Sequence, residues 1–185
     1  MKHNYSLYYN HVRLRPMEER DIDRLRKWRN NKSISKFLKP ISFITRDMQK
    51  KWFYQYLDNQ NEITFAVTDV ERNDIIVGSI SIYNFNESQA EIGKFVIGDK
   101  NAHGRQIGTK AFIMGVFFAF EVLKVDKVIC FVHKENSVAR HIYRKIGFYI
   151  TGERKTKDIG VEKKMEIDRQ VFERVNSCYN AITMR

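Results

Sequence analysis

The apolar residues of this chain repeat with two different periods, and the changes of period divide it into elements. Residues 11–17, HVRLRPM, alternate apolar and polar and predict a first strand. In residues 18–31, Ile22, Leu25 and Trp28 recur at helical spacing, and Asp21 with the acidic residues before it suits a helix start. Thr45 predicts an N-cap for a second helix over residues 46–60, with Met48, Trp52, Tyr56 and Leu57 on or near one face. Strands follow in series at residues 62–70, 74–85 and 90–98, separated by the polar turns ERND and NESQ. Links that short predict an antiparallel meander. A polar loop with Gly104 and Gly108 then leads into an apolar helix from Thr109 to about Leu123. Residues 127–134, KVICFVHK, read as a buried strand, and residues 136–148 as a short helix stopped by Gly147. Two strand-like pieces around a charged loop come next, and QVFERV closes with a short helix. The order is β-α-α-β-β-β-α-β-α-β-β. Strands joined through the helix after the glycine-bearing loop imply a parallel pair inside a mostly antiparallel sheet. The predicted class is therefore mixed α/β, with a central twisted sheet flanked by helices.

Composition narrows the setting. No Pro-rich or Gly/Ser-rich linker divides the 185 residues, which predicts one domain over residues 1–185 with a sizeable core. The longest apolar run, AFIMGVFFAF at residues 111–120, is too short for a membrane span and reads as a buried helix. The start of the chain, MKHNYSLYYNHVRLRP, has no apolar core of signal-peptide type. Cys130 and Cys178 have neither metal-ligand nor disulfide-framework spacing, so the expected setting is a reducing cytoplasm, without a metal. A net charge of +11 favours anionic partners, namely nucleic acid, an anionic membrane or phosphorylated small molecules, unless it is only a solvated basic surface. The densest basic cluster, RKTKDIGVEKK, has no interleaved aromatics on a helical face and no nucleic-acid motif.

The stretch VIGDKNAHGRQIGTKAF, residues 96–112, has the strand, glycine loop and helix of a phosphate cradle. It is not a P-loop, because the second glycine would fall at Thr109. Nor is it a dinucleotide fingerprint, since it lacks G-x-G-x-x-G and follows a meander. His103-Gly104-Arg105-Gln106-Ile107-Gly108 instead resembles the acetyl-CoA loop of the GNAT N-acetyltransferases, [RQ]-x-x-G-x-[GA]. Gly108 matches the last position; Gln106 stands where glycine is usual, and His103 where Arg or Gln is usual. Further on, Asn136, Ala139, Tyr143, Gly147 and Phe148 form N-x-x-A-x-x-x-Y-x-x-x-G-F, which resembles the family's second hallmark. One apolar helix and one strand separate the two motifs, as in the family.

The resemblance implies an enzyme that moves an acetyl group from acetyl-CoA to a primary amine by direct attack. Backbone N–H groups from about Gly104 through Arg105, Gln106, Ile107 and Gly108 to Thr109 would receive the pyrophosphate. Arg105, Lys110 and protonated His103 add charge there or face solvent. Main-chain groups of Phe95, Val96 and Ile97 would line the pantetheine arm where their strand splays from the next. Asn136 caps its helix or donates from its mouth, and Ala139 leaves room beside Tyr143 four residues on. Tyr143 is the expected general acid and Glu91 the expected base, with Glu62, Asp69, Glu71 and His133 as weaker candidates.

For the acceptor, Trp28-Arg29-Asn30 resembles the W-R-N segment of two subgroups. One acetylates 4-amino sugars on nucleotide carriers, the other the amino termini of ribosomal proteins. Trp28 stacking on a base or sugar and Arg29 pairing with phosphate would suit the first, and the basic charge fits both. The expectation is an amino-sugar nucleotide, with a peptide amino terminus as the alternative. A polyamine fits less well, because no acidic cluster stands out in the first two helices beyond Glu18, Glu19, Asp21 and Asp23. A non-catalytic acyl-CoA-binding or RNA-binding module is the reading from another class, with nucleic acid otherwise expected only through ribosome docking. Either a monomer or a homodimer is compatible with the strand edges.

Overall fold

The computed structural model describes residues 1–176 and 179–185, so Cys178 lies outside the described residues. The elements are β1 (Leu7–Tyr9), β2 (Val12–Pro16), α1 (Ile22–Asn30), α2 (Lys32–Ser35), α3 (Arg46–Asp58), β3 (Glu62–Asp69), β4 (Ile75–Tyr83), β5 (Gln89–Ile97), α4 (Ile107–Glu121), β6 (Lys127–His133), α5 (Ser137–Ile146), β7 (Tyr149–Thr156), β8 (Gly160–Asp168), α6 (Arg169–Val175) and β9 (Thr183–Met184). Among the described residues the strands form one sheet in the order β7-β8-β6-β5-β4-β3-β2-β1-β9. The β5–β6 pairing is parallel and the others are antiparallel. The predicted class and the parallel pair at the glycine loop are therefore what the chain adopts.

Helices cover both faces. On one, α4 and α5 pack Ile107, Phe112, Phe118 and Tyr143 against Phe65, Ile80, Ile92 and Val128 of the sheet. Fully burying a Phe or Ile in such a layer is worth roughly 1.5–3 kcal/mol over leaving it exposed. On the other face, α1 and α3 pack Ile22, Leu25, Phe53 and Tyr56 on Ala66, Ile76 and Val96. No helix of the described residues is long and apolar enough to cross a membrane.

Local signals explain most boundaries. Thr45 caps α3, its hydroxyl oxygen accepting from the Met48 amide at 3.2 Å. The buried face of α3 is Gln49, Phe53 and Tyr56, one residue round from the predicted stripe; Met48 is exposed, because the sheet meets α3 on the Tyr56 side. Asp21 does not cap α1 with its side chain. Its carboxylate instead accepts from the Glu18 amide at 2.9 Å and from Arg15 at 2.6 and 2.8 Å, holding a tight turn ahead of the helix. α4 begins at Ile107, two residues before the predicted start, because Ile107 is fully buried and anchors the first turn. The short β1, α2 and β9 carry too few residues for a periodic signal.

Candidate active site

The site begins where β5 leaves β6. Their parallel ladder holds only the pairs Gln89 with Lys127, Ala90 with Val128, and Glu91 with Ile129. Beyond that point β6 pairs with β8 along its whole length, while β5 stays on β4. From Ile92 to Ile97 the β6-facing edge of β5 therefore has no strand partner among the described residues, and the sheet opens as a fork. Phe95, Val96 and Ile97 stand on this free stretch. An extended ligand entering there would meet main-chain donors and acceptors already aligned as a strand edge.

The loop after β5 delivers α4 to the mouth of that fork. Gln106 takes the N-cap position at φ 59°, ψ 13°, a left-handed conformation that costs a non-glycine residue about 1 kcal/mol. This is the physical reason glycine is usual at that point of the motif, and Gln106 adopts the same backbone. The helix has no side-chain cap and no acidic residue in its first turn. Its opening N–H groups, those of Ile107, Gly108 and Thr109, thus remain available to an anion at the positive end of a 15-residue helix. Gly108 lies against Phe95 and Ile97, and an added Cβ would meet them only at ordinary contact distances of 3.6 and 3.5 Å. Gly104 has φ 78° with open space where a Cβ would go. His103 is exposed. Together these features fit a diphosphate.

Not every charge expected at the phosphates points there. Arg105 pairs with Asp69 and, at 2.7 Å, with Glu71, tying the loop to the end of β3. Asp69 is completely buried, and Arg105 is its counter-ion. Lys110 lies 3.4 Å from His11 Nδ1. Asp69 and Glu71 consequently sit on the loop side, engaged by Arg105, and not beside Glu91.

Across the fork, α5 presents the second motif. Asn136 caps it, Oδ1 accepting from the Ala139 amide at 3.1 Å. Gly147 closes it at φ 113°, where an L side chain would be strained and crowded by Ile167 and Val171. Ala139 and Tyr143 share a face. The Tyr143 ring is buried and stacks on Phe112 of α4 at 4.2 Å, and Phe112 in turn meets Phe95 at 5.6 Å. Burial first, and Cys130 second, push the Tyr143 hydroxyl well above the usual phenol range, so it keeps its proton.

Glu91 stands at the apex, the last paired residue before the fork. It is 8% exposed and accepts from the Tyr83 hydroxyl at 2.6 Å and from Asn84 Nδ2 at 3.2 Å. Burial, followed by this hydrogen bond, raises the Tyr83 pKa far above that of a free phenol. Glu62 is opposite Tyr83 in the register and receives Lys94 Nζ at 2.6 Å. On the other arm, Glu162 is 5% exposed, pairs with Arg154 at 2.8 Å and lies opposite His133. The Arg154 guanidinium covers the Phe131 ring at 3.5 Å. Tyr83, Arg154 and Glu162 escaped the sequence reading, although each sits at an alternating strand position facing the same side as Glu91, Phe131 or His133; Lys94, three residues past Glu91, also escaped it and reaches that side through its left-handed backbone at φ 46°.

Residues 36–44 cross this mouth as a strap. Phe37 meets the His133 ring at 5.3 Å, and Lys39 pairs with Asp158 at 3.4 Å in the turn between β7 and β8. Arg29 and Asn30 hold the strap: Arg29 Nη2 donates to the Lys39 carbonyl at 3.0 Å, and the Asn30 amide bonds both the N–H and the C=O of Ile44 at 2.9 Å. Trp28 lies flat on Gly98, where an added Cβ would come within 2.2 Å of the indole. His133 Nδ1 accepts from the Glu135 amide at 3.1 Å.

A sheet opened between two parallel strands, with a bare helix start on one side and a carboxylate at its apex on the other, is the architecture of an acetyltransferase that acts on amines. The chain belongs to the GNAT acetyltransferase family, whose model, described as an acetyltransferase (GNAT) domain, matches residues 11–149. It is similar to the spermidine N(1)-acetyltransferase of Escherichia coli K12, with 27% identity over 143 residues covering 77% of this chain and 75% of the relative. It is likewise similar to acetyltransferase PseH of Campylobacter jejuni, with 27% identity over 150 residues covering 75% and 83%. In fold it resembles the crystal structure of spermidine N-acetyltransferase from Vibrio cholerae in complex with CoA and spermine, at TM-score 0.78 and 19% identity, over 88% of this chain and 98% of that one. The enzyme class expected from the two motifs is the class the chain belongs to.

Proposed function

We propose that the chain transfers acetyl from acetyl-CoA to the primary amine of an acceptor that also carries an anionic group, an amino-sugar nucleotide being the chemistry that fits. When bound, acetyl-CoA supplies an acetyl group activated as a thioester. The N–H groups between Gly104 and Thr109 would take the pyrophosphate, and the free edge of Phe95, Val96 and Ile97 would take the pantetheine, with one N–H there to polarise the thioester carbonyl. Glu91 accepts the proton the amine loses, directly or through water. Tyr143, whose ring stacks on Phe112 beside Phe95, would be the proton donor to the departing thiolate. Ala139 leaves room beside the phenol, and Asn136 fixes the start of that helix.

The observation that carries the acceptor reading is the charge layout of the strap. Residues 31–46 contain Lys32, Lys36, Lys39 and Arg46 and no acidic residue, and they reach across to His133 at the end of β6 and to Asp158 in the turn between β7 and β8. Arg29 and Asn30 contribute by holding this strap in place, and Trp28 by packing on Gly98 at the end of β5. A second reading, a polyamine acceptor, is favoured by the buried Glu62, Glu91 and Glu162 and by the named spermidine acetyltransferases among the relatives. The two separate in one experiment, CoA release from acetyl-CoA against amino-sugar nucleotides, amino-terminal peptides of ribosomal proteins, and spermidine. Turnover with the nucleotide-linked amine, weakened by salt, is the expected result. Turnover with spermidine alone overturns the anionic-acceptor reading, and absence of acetyl-CoA binding overturns the cofactor reading.

A further inference from the structure

β5 diverges from β6 at a bulge. Ser79 and Ser81 of β4 face Val96 and Gly93, so the single residue Ile80 stands opposite two residues of β5, Lys94 and Phe95. Lys94 has φ 46°, in the left-handed region that a lysine occupies only when its surroundings impose it. Two contacts impose it here. Lys94 Nζ lies 2.6 Å from Glu62 Oε2 and 4.7 Å from the centroid of the Tyr83 ring. Neither partner is a loose surface group. The Glu62 side chain is only 9% exposed and also accepts from Thr64 Oγ1 at 3.3 Å, while the Tyr83 hydroxyl is held by Glu91. Glu62, Tyr83 and Glu91 lie opposite one another in a row across three strands. Gly93, just before the bulge, has no Cβ because the Tyr83 hydroxyl would sit 2.7 Å from it.

We propose that Lys94, clamped between the Glu62 carboxylate and the Tyr83 ring, is a positioning residue that holds the β5 bulge in the form that keeps the fork open for the pantetheine arm. The inference rests on reading the fork as the acyl-CoA slot. Without the clamp, a left-handed lysine relaxes toward extended backbone, and an unbulged β5 turns every following side chain to the other face. The main-chain groups of Phe95 to Ile97 then no longer line the slot. Because Tyr83 gives its ring to Lys94 and its hydroxyl to Glu91, one side chain couples the width of the slot to the placement of the base.

Backbone and charge effects separate by substitution. Lys94→Ala keeps the cost of positive φ and removes the clamp, so acetyl-CoA Kd should rise about tenfold. Lys94→Gly also removes the clamp, but adopts the same φ freely, and should recover most of that affinity. Lys94→Arg should recover it through the retained charge. Acetyl-CoA Kd by calorimetry is the primary readout, with KM against kcat as the second: KM for acetyl-CoA moves more than kcat at saturation. A lysine acting by its charge on the ligand would leave the Gly variant as weak as the Ala variant, and that result overturns the proposal, as does an Ala variant that binds like the unsubstituted chain. If Lys94→Ala does not fold, Glu62→Gln weakens the same clamp, and rescue of its Kd by a second change, Lys94→Gly, is required. Failure of the unsubstituted chain to bind acetyl-CoA overturns the slot reading and not the clamp.

Discussion

Gly108→Ala should make the free protein more stable and the liganded protein less so. Gly108 is the second residue of α4, and its backbone is helical. An added Cβ would touch Ile97 at 3.5 Å and Phe95 at 3.6 Å, both ordinary contacts, so nothing within the chain resists the methyl group. Replacing glycine by alanine at a compatible position stabilises by about 0.4–1 kcal/mol, chiefly by restricting the unfolded chain. For a chain of this length that is a rise in Tm of roughly 1–4 °C. The same methyl occupies the surface where a pyrophosphate must approach the N–H groups of α4, and acetyl-CoA affinity should fall about tenfold or more. At a concentration 100 times the original Kd, ligand stabilisation then drops from about 2.7 to about 1.4 kcal/mol. Thermal unfolding with and without acetyl-CoA reads both effects in one series. A higher Tm for the free variant with an undiminished ligand-induced shift would place the diphosphate elsewhere and refute the assignment of this helix. A lower Tm for the free variant would show that the packing at Phe95 and Ile97 is tighter than described.

Tyr143→Phe keeps the stack on Phe112 and removes only the hydroxyl; kcat should fall about 10²-fold with acetyl-CoA Kd within about twofold, and an unchanged kcat would move the acid elsewhere. Gly98→Ala drives a methyl into the Trp28 indole and should destabilise by about 1–3 kcal/mol in urea unfolding. Trp28→Leu in the same chain should recover part of that loss, and no recovery would mean that another neighbour sets the limit. His3 is buried against Phe65 and Tyr5, and burial lowers its pKa below the ordinary 6.5. The unfolded chain therefore takes up a proton that the folded chain resists, so stability is complete above about pH 6.5 and declines as pH falls from there toward the lowered value. Tm measured between pH 7.5 and 5 should show that decline, and His3→Gln should flatten it; an identical profile in the variant would assign the acid limb to other groups.

The sequence was most readable where structure is local. Thr45 and Asn136 cap their helices through bonds to residues three positions on, and Gly147 ends α5 at positive φ; such geometry is written within a few neighbouring residues. The parallel pair followed from element order, since strands joined through a long helix cannot form a hairpin. Gln106 is an instructive case. Its departure from glycine left the loop conformation open, and the structure shows a left-handed residue there all the same. The loop is pinned on both sides, by Arg105 on Asp69 and by the buried Ile107, so the backbone is imposed on whatever residue stands between. The first pin could not be foreseen, because Asp69 and Arg105 are 36 positions apart.

The acceptor side was least readable, for a related reason. Glu62, Glu91 and Glu162 belong to β3, β5 and β8, and each one, in its own strand, looks like the polar half of an ordinary alternation. A search for acidic residues in the first two helices misses all three. They become a buried group only through register, which sets Glu62 opposite Tyr83 and Tyr83 opposite Glu91 on one arm, and Glu162 opposite His133 on the other. Burial on this scale requires partners, and Lys94 and Arg154 supply the two cations. The amino-terminal ammonium also lies against Glu62, donating to its carbonyl at 2.6 Å, so of the three carboxylates Glu91, held by Tyr83 and Asn84, has no paired cation among the described residues. On the acceptor reading proposed above, the acceptor's ammonium meets Glu91, and the basic residues 31–46 disfavour any further cations it carries. That reading therefore requires turnover to fall when the acceptor's anionic group is removed and its amine is kept, and equal turnover without the anionic group would refute it.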